Sequence, residues 1–351
     1  MPAAKYETVY PMLKKTIGAL PPGSRLPPIR ELMRQYDVSQ ITIDKALKLI
    51  RQDGVIESIP GKGTFTRGEI TPATLRADEI PSIAILVPAF KSAFCNSASE
   101  AMNSQFADAG WQSRTISYDI NHRLDSSLGL AQFSGLVYLP PRQTVNLETL
   151  EYLHSLNIPY LVANLPLLDV EVNSVCTDNF QGGRIAAEYL HKCGYHHIGI
   201  VVSEPENSIV HARINGFTSV VPHNELLFCH TQDGENSYVK AYDRVSQELE
   251  HGRRCEAYFV LSDDSALGVL KALHDKGLDI PGDVGVIGFD GSDESAYYHP
   301  ALTSIGQNYA GWADAAATLF KDIFNGLSLR TCRHIIIPPK IVVRDSVKKL
   351  S

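Results

Sequence analysis

The sequence predicts a small head built of helices and a hairpin, followed by a larger α/β body of two lobes with parallel sheets. Three observations carry that reading. First, from residue 81 onward apolar runs recur: "SIAILVP" (82–88), "GLVYLP" (135–140), "YLVAN" (160–164), "HIGIVVS" (197–203), "AYFVLS" (257–262) and "VGVIGFD" (284–290). Segments of helical period lie between most of them, among them "NFQGGRIAAEYLHKCG" (179–194) and "SALGVLKALHDKG" (265–277). Strands apolar on both faces that alternate with helices make buried parallel sheets. Second, the body of about 270 residues is large for one doubly wound sheet, which favours two lobes. Third, charge divides the chain. Residues 1 to 69 hold 11 Lys or Arg against 7 Asp or Glu, and the remainder holds 21 against 32. An acidic body repels nucleic acid, so a basic head on it suggests divided labour, although chance variation of surface charge gives the same numbers.

Composition narrows the class. A hydrophobic content of 44% with 20% charged residues is that of a globular protein. No run of 18 apolar residues occurs, so no membrane span is expected. "MPAAKYETVY" has no apolar core followed by a cleavage site, so no secretory signal is expected either. Cysteines 95, 176, 193, 229, 255 and 332 form no CxxC pair, which argues against a disulfide framework or zinc motif and suits a cytoplasmic location.

In the head, "DVSQITIDKALKLIRQDG" (37–54) has two faces. Ser39 is placed as an N-cap, and Ile43, Ala46, Leu47 and Ile50 form a stripe at helical spacing. Ile41, Asp44, Lys45 and Lys48 then project to the other side. Upstream, "PPIRELMRQY" (27–36) has Pro28 near a helix start and a stripe of Ile29, Leu32, Met33 and Tyr36. Two short amphipathic helices with a tight link predict a helix-turn-helix. "GVIESIPGKGTFT" (54–66) adds strand, turn and strand, a wing tipped by lysine.

Taken in order, "GSRLPPIREL", "YDVSQITIDKALKLIRQDGVI" and "PGKGTF" resemble the GntR-type winged helix-turn-helix across residues 5 to 67. The resemblance implies a head of residues 1–69 that grips double-stranded operator DNA, with the second helix of the pair in the major groove and the wing near the minor groove. Arg30 matches a contact to phosphate or a guanine edge. Ser39, Gln40 and Thr42 match the N-terminus of the recognition helix, where backbone N–H groups favour phosphate and Gln40 has the groups to read adenine. Asp44 and Lys45 lie on the groove-facing side. Gly61 and Lys62 match the wing tip, where little side-chain bulk allows close approach to the backbone. Gln40 and Asp44 stand where the family often has basic residues, and Ile41 is unusual there, so the operator does not carry over. Asp44 has a second reading, an exposed partner of Lys48 four residues on.

After a linker at 70–80, residues 81–346 resemble the effector domain of the LacI family and its periplasmic-binding-protein-like relatives. The stretches are "VCTDNFQGGRIAAEYLHKCGYHHIGIV" (175–201), "HARINGF" (211–217), residues 257–307, and "IIIPPKIVVRDS" (335–346). The resemblance implies lobe 1 at about 81–177 and 308–336, lobe 2 at about 178–304 and 337–346, and a homodimer formed through this domain. By position, Arg213, Asp263 and Asp290 match ligand contacts of the second lobe, and Gln307 a contact at a lobe crossover. Phe90 and Phe94 fall where the first lobe supplies packing residues, and Tyr238 near an aromatic stacking position. Carboxylates and a guanidinium bind sugar hydroxyls by charge-assisted hydrogen bonds, and aromatics cover apolar ring faces. Each residue also has a plainer reading: Asp263 or Asp264 as a helix cap, Asp290 as part of the turn "FDGSD", Arg213 as an ion-pair partner.

The function these features imply is a cytoplasmic transcriptional repressor released by a small effector, best fitted by a monosaccharide, with neither cofactor nor metal. The pair His196 and His197 hints at a metal, but the resemblance makes it the polar residues before a strand, so no metal role is expected. A co-repressor of purine type that tightens DNA binding is an alternative. An α/β enzyme acting on sugar is a rival of another class; no G-x-S-x-G elbow, P-loop or HExxH pattern supports it.

Overall fold

The computed structural model describes residues 5–18, 20, 24–52, 56–59, 63–66, 80–89, 92–141, 145–167, 170–231, 235–326 and 332–349. The chain divides into two compact units, Met1–Thr74 grouped with Ile323–Thr331, and Leu75–Asp322 with Cys332–Ser351.

The head contains α1 (Lys5–Gly18), α2 (Ile29–Tyr36), α3 (Gln40–Gln52), β1 (Ile56–Ile59) and β2 (Gly63–Thr66). Val9, Leu13 and Ile17 recur every four residues along α1 and are buried with Ile43, Ala46, Leu47 and Ile50 of α3 and Leu32 of α2. A fully buried Ile or Leu contributes about 1.5–3 kcal/mol, so this shared cluster holds three short helices that are marginal alone. The turn between α2 and α3 closes on Asp37, whose φ is 47°. Ile29 departs from the expected stripe: as the first residue of α2 it lies beyond the cluster and is exposed. β1 and β2 pair antiparallel, Ile56 opposite Thr66, and Arg25 bridges to Phe65 on the far side of β2.

The larger unit has two six-stranded sheets. The first comprises β3 (Ser82–Pro88), β4 (Gln112–Tyr118), β5 (Gly135–Tyr138), β6 (Tyr160–Ala163), β7 (Asn173–Thr177) and β13 (His334–Ile337), in the order β13-β7-β6-β5-β3-β4. The second comprises β8 (Ile198–Val202), β9 (Asn224–Phe228), β10 (Ala257–Val260), β11 (Gly285–Asp290), β12 (Thr303–Gly306) and β14 (Lys340–Val342), in the order β14-β12-β11-β10-β8-β9. Helices α4 (Ala93–Asp108), α5 (Leu147–Ser155), α6 (Asn179–Lys192), α7 (Ser208–Thr218), α8 (Ser237–Glu250), α9 (Asp263–Asp275) and α10 (Tyr309–Phe324) connect them. All pairings are parallel except β12 with β14.

In both sheets the chain starts inside, steps to the edge, then crosses back past its first strand. That reversal leaves a crevice at the carboxyl ends of the strands. No helix among the described residues is long and apolar enough to cross a membrane.

Candidate functional site

The polar side of the crevice is built by an unusually close helix crossing. A Cβ on Gly183 of α6 would stand 2.0 Å from the Arg213 carbonyl oxygen, and one on Gly216 of α7 would stand 1.9 Å from that of Phe180. With no side chains there, the two backbones touch. The crossing lays the Arg213 guanidinium over the Phe289 ring, 3.6 Å from its centre. Only 3% of the Arg213 side chain is exposed.

Arg213 sits in a nearly closed ring of polar groups. Its Nε donates to Asn179 Oδ1 at 2.9 Å, and its NH1 donates to the Leu261 carbonyl at the end of β10. Asn179 Nδ2 donates to the Thr177 carbonyl at 2.9 Å. Thr177 Oγ1 donates to Gln307 Oε1 at 2.8 Å, and Gln307 Nε2 donates to Asp290 Oδ1 at 2.7 Å. The link that would close the ring, Arg213 NH2 to Asp290 Oδ1, is 3.9 Å long, and NH2 is buried without a hydrogen bond. A buried donor without an acceptor costs about 1–3 kcal/mol, more when charged.

Asp290 ends β11 with φ of 120°, a conformation that side-chain-bearing residues seldom adopt, which turns its carboxyl toward Arg213. Burial pushes its pKa up to about 8, opposed by Arg213 and reinforced by Asp263. Burial also lowers the Arg213 pKa, although a guanidinium keeps its proton. Both charged forms are therefore poorly solvated here.

The first lobe brings rings. Phe94 on α4 lies 5.9 Å from both Tyr309 and Trp312 at the start of α10, and Tyr309 lies 5.9 Å from Trp312. Tyr309 Oη and Trp312 Nε1 are buried without hydrogen-bond partners. Burial raises the Tyr309 pKa well above its ordinary value, and the Asp290 and Asp263 charges add to that.

Of the residues expected from sequence, Arg213, Asp290 and Gln307 come together, and Phe94 joins the rings packed on the other lobe's side. Asp263 is adjacent but engaged: Oδ2 accepts from Ser292 N at 2.7 Å and Oδ1 from Ser304 Oγ at 2.6 Å. Burial pushes its pKa up to about 6, against those hydrogen bonds. The cap position of α9 belongs to Ser262, whose side chain makes no capping bond. Tyr238 stands apart, packed on the α8–α9 cluster beside Tyr242. Phe90 lies outside the described residues. Sequence reading passed over Asn179, Thr177, Tyr309 and Trp312. Their signal was position alone, just past a strand and around a crossover.

On the head, Arg30, Ser39, Gln40, Asp44 and Lys45 are exposed, and Thr42 is half-buried with its hydroxyl 3.0 Å from that of Ser39. Arg30 and Arg34, one turn apart, line a depression of about 550 Å³ with Met33, Asp37, Val38 and Ser39. Arg34 was not anticipated, although its spacing from Arg30 puts both on one face. Ile41 is 69% exposed, an apolar side chain on the same helix as the exposed Gln40, Asp44 and Lys45. Gly61 and Lys62 lie outside the described residues.

Comparison with known proteins adds matches to two family models, two curated relatives and one solved structure. Residues 5–66 match the family model of bacterial regulatory proteins of the gntR family, and residues 187–347 match a periplasmic binding protein-like domain. The chain is 37% identical over 113 residues to the HTH-type transcriptional regulator MalR of Clostridium butyricum, a match spanning 32% of this chain and only 33% of that protein. It is 21% identical over 347 residues to the arabinose metabolism transcriptional repressor of Geobacillus stearothermophilus, spanning 95% of this chain and 94% of that one. Among solved structures, a LacI family transcriptional regulator from Enterococcus faecium with bound ribose matches with a TM-score of 0.65 at 24% identity, covering 77% of this chain and 100% of that one. That last likeness is one of fold.

Proposed function

We propose, for a chain that joins a gntR-family winged helix-turn-helix head to a two-lobed periplasmic-binding-protein-like domain, the function of a transcriptional repressor whose hold on operator DNA is set by a small sugar-like ligand. The observation that carries the ligand half is the open link between Arg213 and Asp290. A sugar hydroxyl is both donor and acceptor. It can accept from Arg213 NH2 and donate to Asp290, satisfying a buried guanidinium nitrogen that has no hydrogen bond. Tyr309 and Phe94 supply the apolar cover that a sugar ring face needs. Gln307 ties this pair to the crossovers, because its amide bonds Asp290 on one side and Thr177 on the other. Asp263 braces the loop after β11 and reaches the ligand through Asp290, not directly.

On the DNA side, Arg30 and Arg34 hold phosphate at the start of the helix pair, with Ser39 and Thr42 beside them. Gln40 reads adenine, Asp44 accepts from a cytosine N4, Lys45 reaches phosphate or guanine, and Ile41 meets a thymine methyl. Gly61 and Lys62 belong to this interface on their sequence position alone. The protein acts in the cytoplasm as a homodimer through the effector domain, so that two heads engage two half-sites. Each tenfold shift in DNA affinity then requires about 1.4 kcal/mol of difference in ligand binding between the two states.

A thermal-shift screen of pentoses, hexoses, deoxysugars and purines on the full chain, followed by gel shift, tests the reading. A sugar that raises the melting midpoint and releases DNA is the expected outcome. A purine that tightens DNA binding replaces the sugar, and turnover of a bound sugar removes the regulatory reading.

A further inference from the structure

A second constellation lies at the opposite, amino-terminal end of the second-lobe sheet. Register places Tyr258 of β10, Gly199 of β8 and Glu225 of β9 in one row, so their side positions share a face. His197, two residues before Gly199, reaches the same face, and its Nε2 lies 2.9 Å from Glu225 Oε1. Cys255 comes in just before β10, with its sulfur 3.8 Å from Glu225 Oε2. Gly199 makes room for it: a Cβ there would stand 3.0 Å from Cys255 Sγ. The ligand atoms of His197, Glu225 and Cys255 all lie within 4.8 Å of one another. The backbone carrying His197 is fixed from below, because Glu256 Oε2 accepts from His196 N at 2.6 Å and from His197 N at 3.0 Å.

We propose that His197, Glu225 and Cys255 bind a zinc-class divalent cation, forming a site separate from the ligand crevice. Bonds of about 2.0–2.3 Å set tetrahedral ligand atoms roughly 3.3–3.8 Å apart, and His197 and Glu225, both exposed, have room to adjust to that spacing. A mixed nitrogen, oxygen and sulfur set suits zinc and its neighbours, whereas magnesium and calcium take oxygen alone. Three protein ligands leave a fourth position for water. Burial, with Glu225 next, pushes the Cys255 thiol up to about 12. Binding has to overcome that: the sulfur–metal bond forms only as the thiol proton is displaced to solvent. The nearby Glu248 is held by Arg244 and Arg253, which offsets its charge. The cation would clasp three adjacent strands, and two of these, β8 and β10, run on toward Ser203 and Leu261 at the crevice. No sequence motif announces the site, because the ligands are 28 and 30 residues apart and meet only across strands.

The test uses metal-free full-length protein titrated with Co²⁺ as the optical probe. The expected result is one equivalent bound with a thiolate-to-cobalt charge-transfer band, bleached by Zn²⁺. Both His197→Ala and Cys255→Ser should lose the band, whereas Cys193→Ser and Cys332→Ser should keep it. Zn²⁺ should raise the melting midpoint of wild type and not of His197→Ala, whose exposed side chain can be removed without unfolding the lobe. Absence of the band in wild type, its persistence in Cys255→Ser, or binding only at millimolar metal would overturn the proposal.

Discussion

The two lobes share one strand order but divide the chemistry. The second lobe supplies a guanidinium, a carboxyl and amides, locked by a backbone-to-backbone helix crossing and by hydrogen bonds to strand ends. The first lobe supplies Phe94, Tyr309 and Trp312, held by ring packing. One lobe's side of the crevice is therefore fixed by polar bonds and close backbone contact, the other by ring packing. The sheets differ also at one edge, where β13 pairs parallel with β7 but β14 pairs antiparallel with β12.

Glycine substitutions should break this comparison most sharply. Gly216→Ala drives a methyl into the Phe180 carbonyl, with rigid backbone on both sides. We expect a loss of roughly 1–3 kcal/mol or more, read as a lower melting midpoint. Gly135→Ala in the first lobe has side chains rather than backbone as its nearest neighbours, Ile83 and the Phe320 ring at 3.0 Å, and should cost distinctly less.

Removing the orienting cation comes next. Arg213→Met should weaken the sugar identified by the screen at least about tenfold by calorimetry, since a charge-assisted hydrogen bond is worth about 1.5–3 kcal/mol.

The pH dependence sharpens the same point. In the unfolded chain Asp263 and Asp290 titrate near 3.8, and in the folded protein near about 6 and about 8. Folded protein thus keeps protons that the unfolded chain has already lost. Stability is fullest below about pH 4 for these two groups and declines as pH rises through the folded values. Melting midpoints of Asp290→Asn against pH should lack the upper part of that decline, up to about pH 8.

The smallest effect should come from the cover. Tyr309→Phe removes a hydroxyl that has no partner, so the ligand-free protein should change little or gain stability. A several-fold loss of sugar affinity would place that hydroxyl on the ligand, and unchanged affinity would assign Tyr309 to packing alone.

Legibility in the sequence followed burial. The six apolar runs became β3, β5, β6, β8, β10 and β11, all interior strands. The edge strands β4 and β9 escaped notice because β4 exposes mainly polar residues, as in "QSRTISY", and β9, "NELLF", is short and opens on Asn and Glu. Helix α1 escaped because Pro11 interrupts its run and Tyr10 and Met12 blur its stripe. Arg213, Asp290 and Gln307 were legible because each follows a strand or opens a recognisable motif. Tyr309 and Trp312 were not, because aromatics on an amphipathic helix read as core until the neighbouring lobe's charges are seen beside them. Tyr238 shows the converse: its aromatic ring packs on the α8–α9 cluster.

The most direct measurement is DNA binding by wild type and Arg213→Met, followed by fluorescence anisotropy on a genomic fragment selected by wild type, with and without the sugar from the screen. Equal DNA affinity is expected for both proteins without sugar, with release of wild type by sugar and no response from the variant. Release of the Arg213→Met protein at the same sugar concentration as wild type would contradict it.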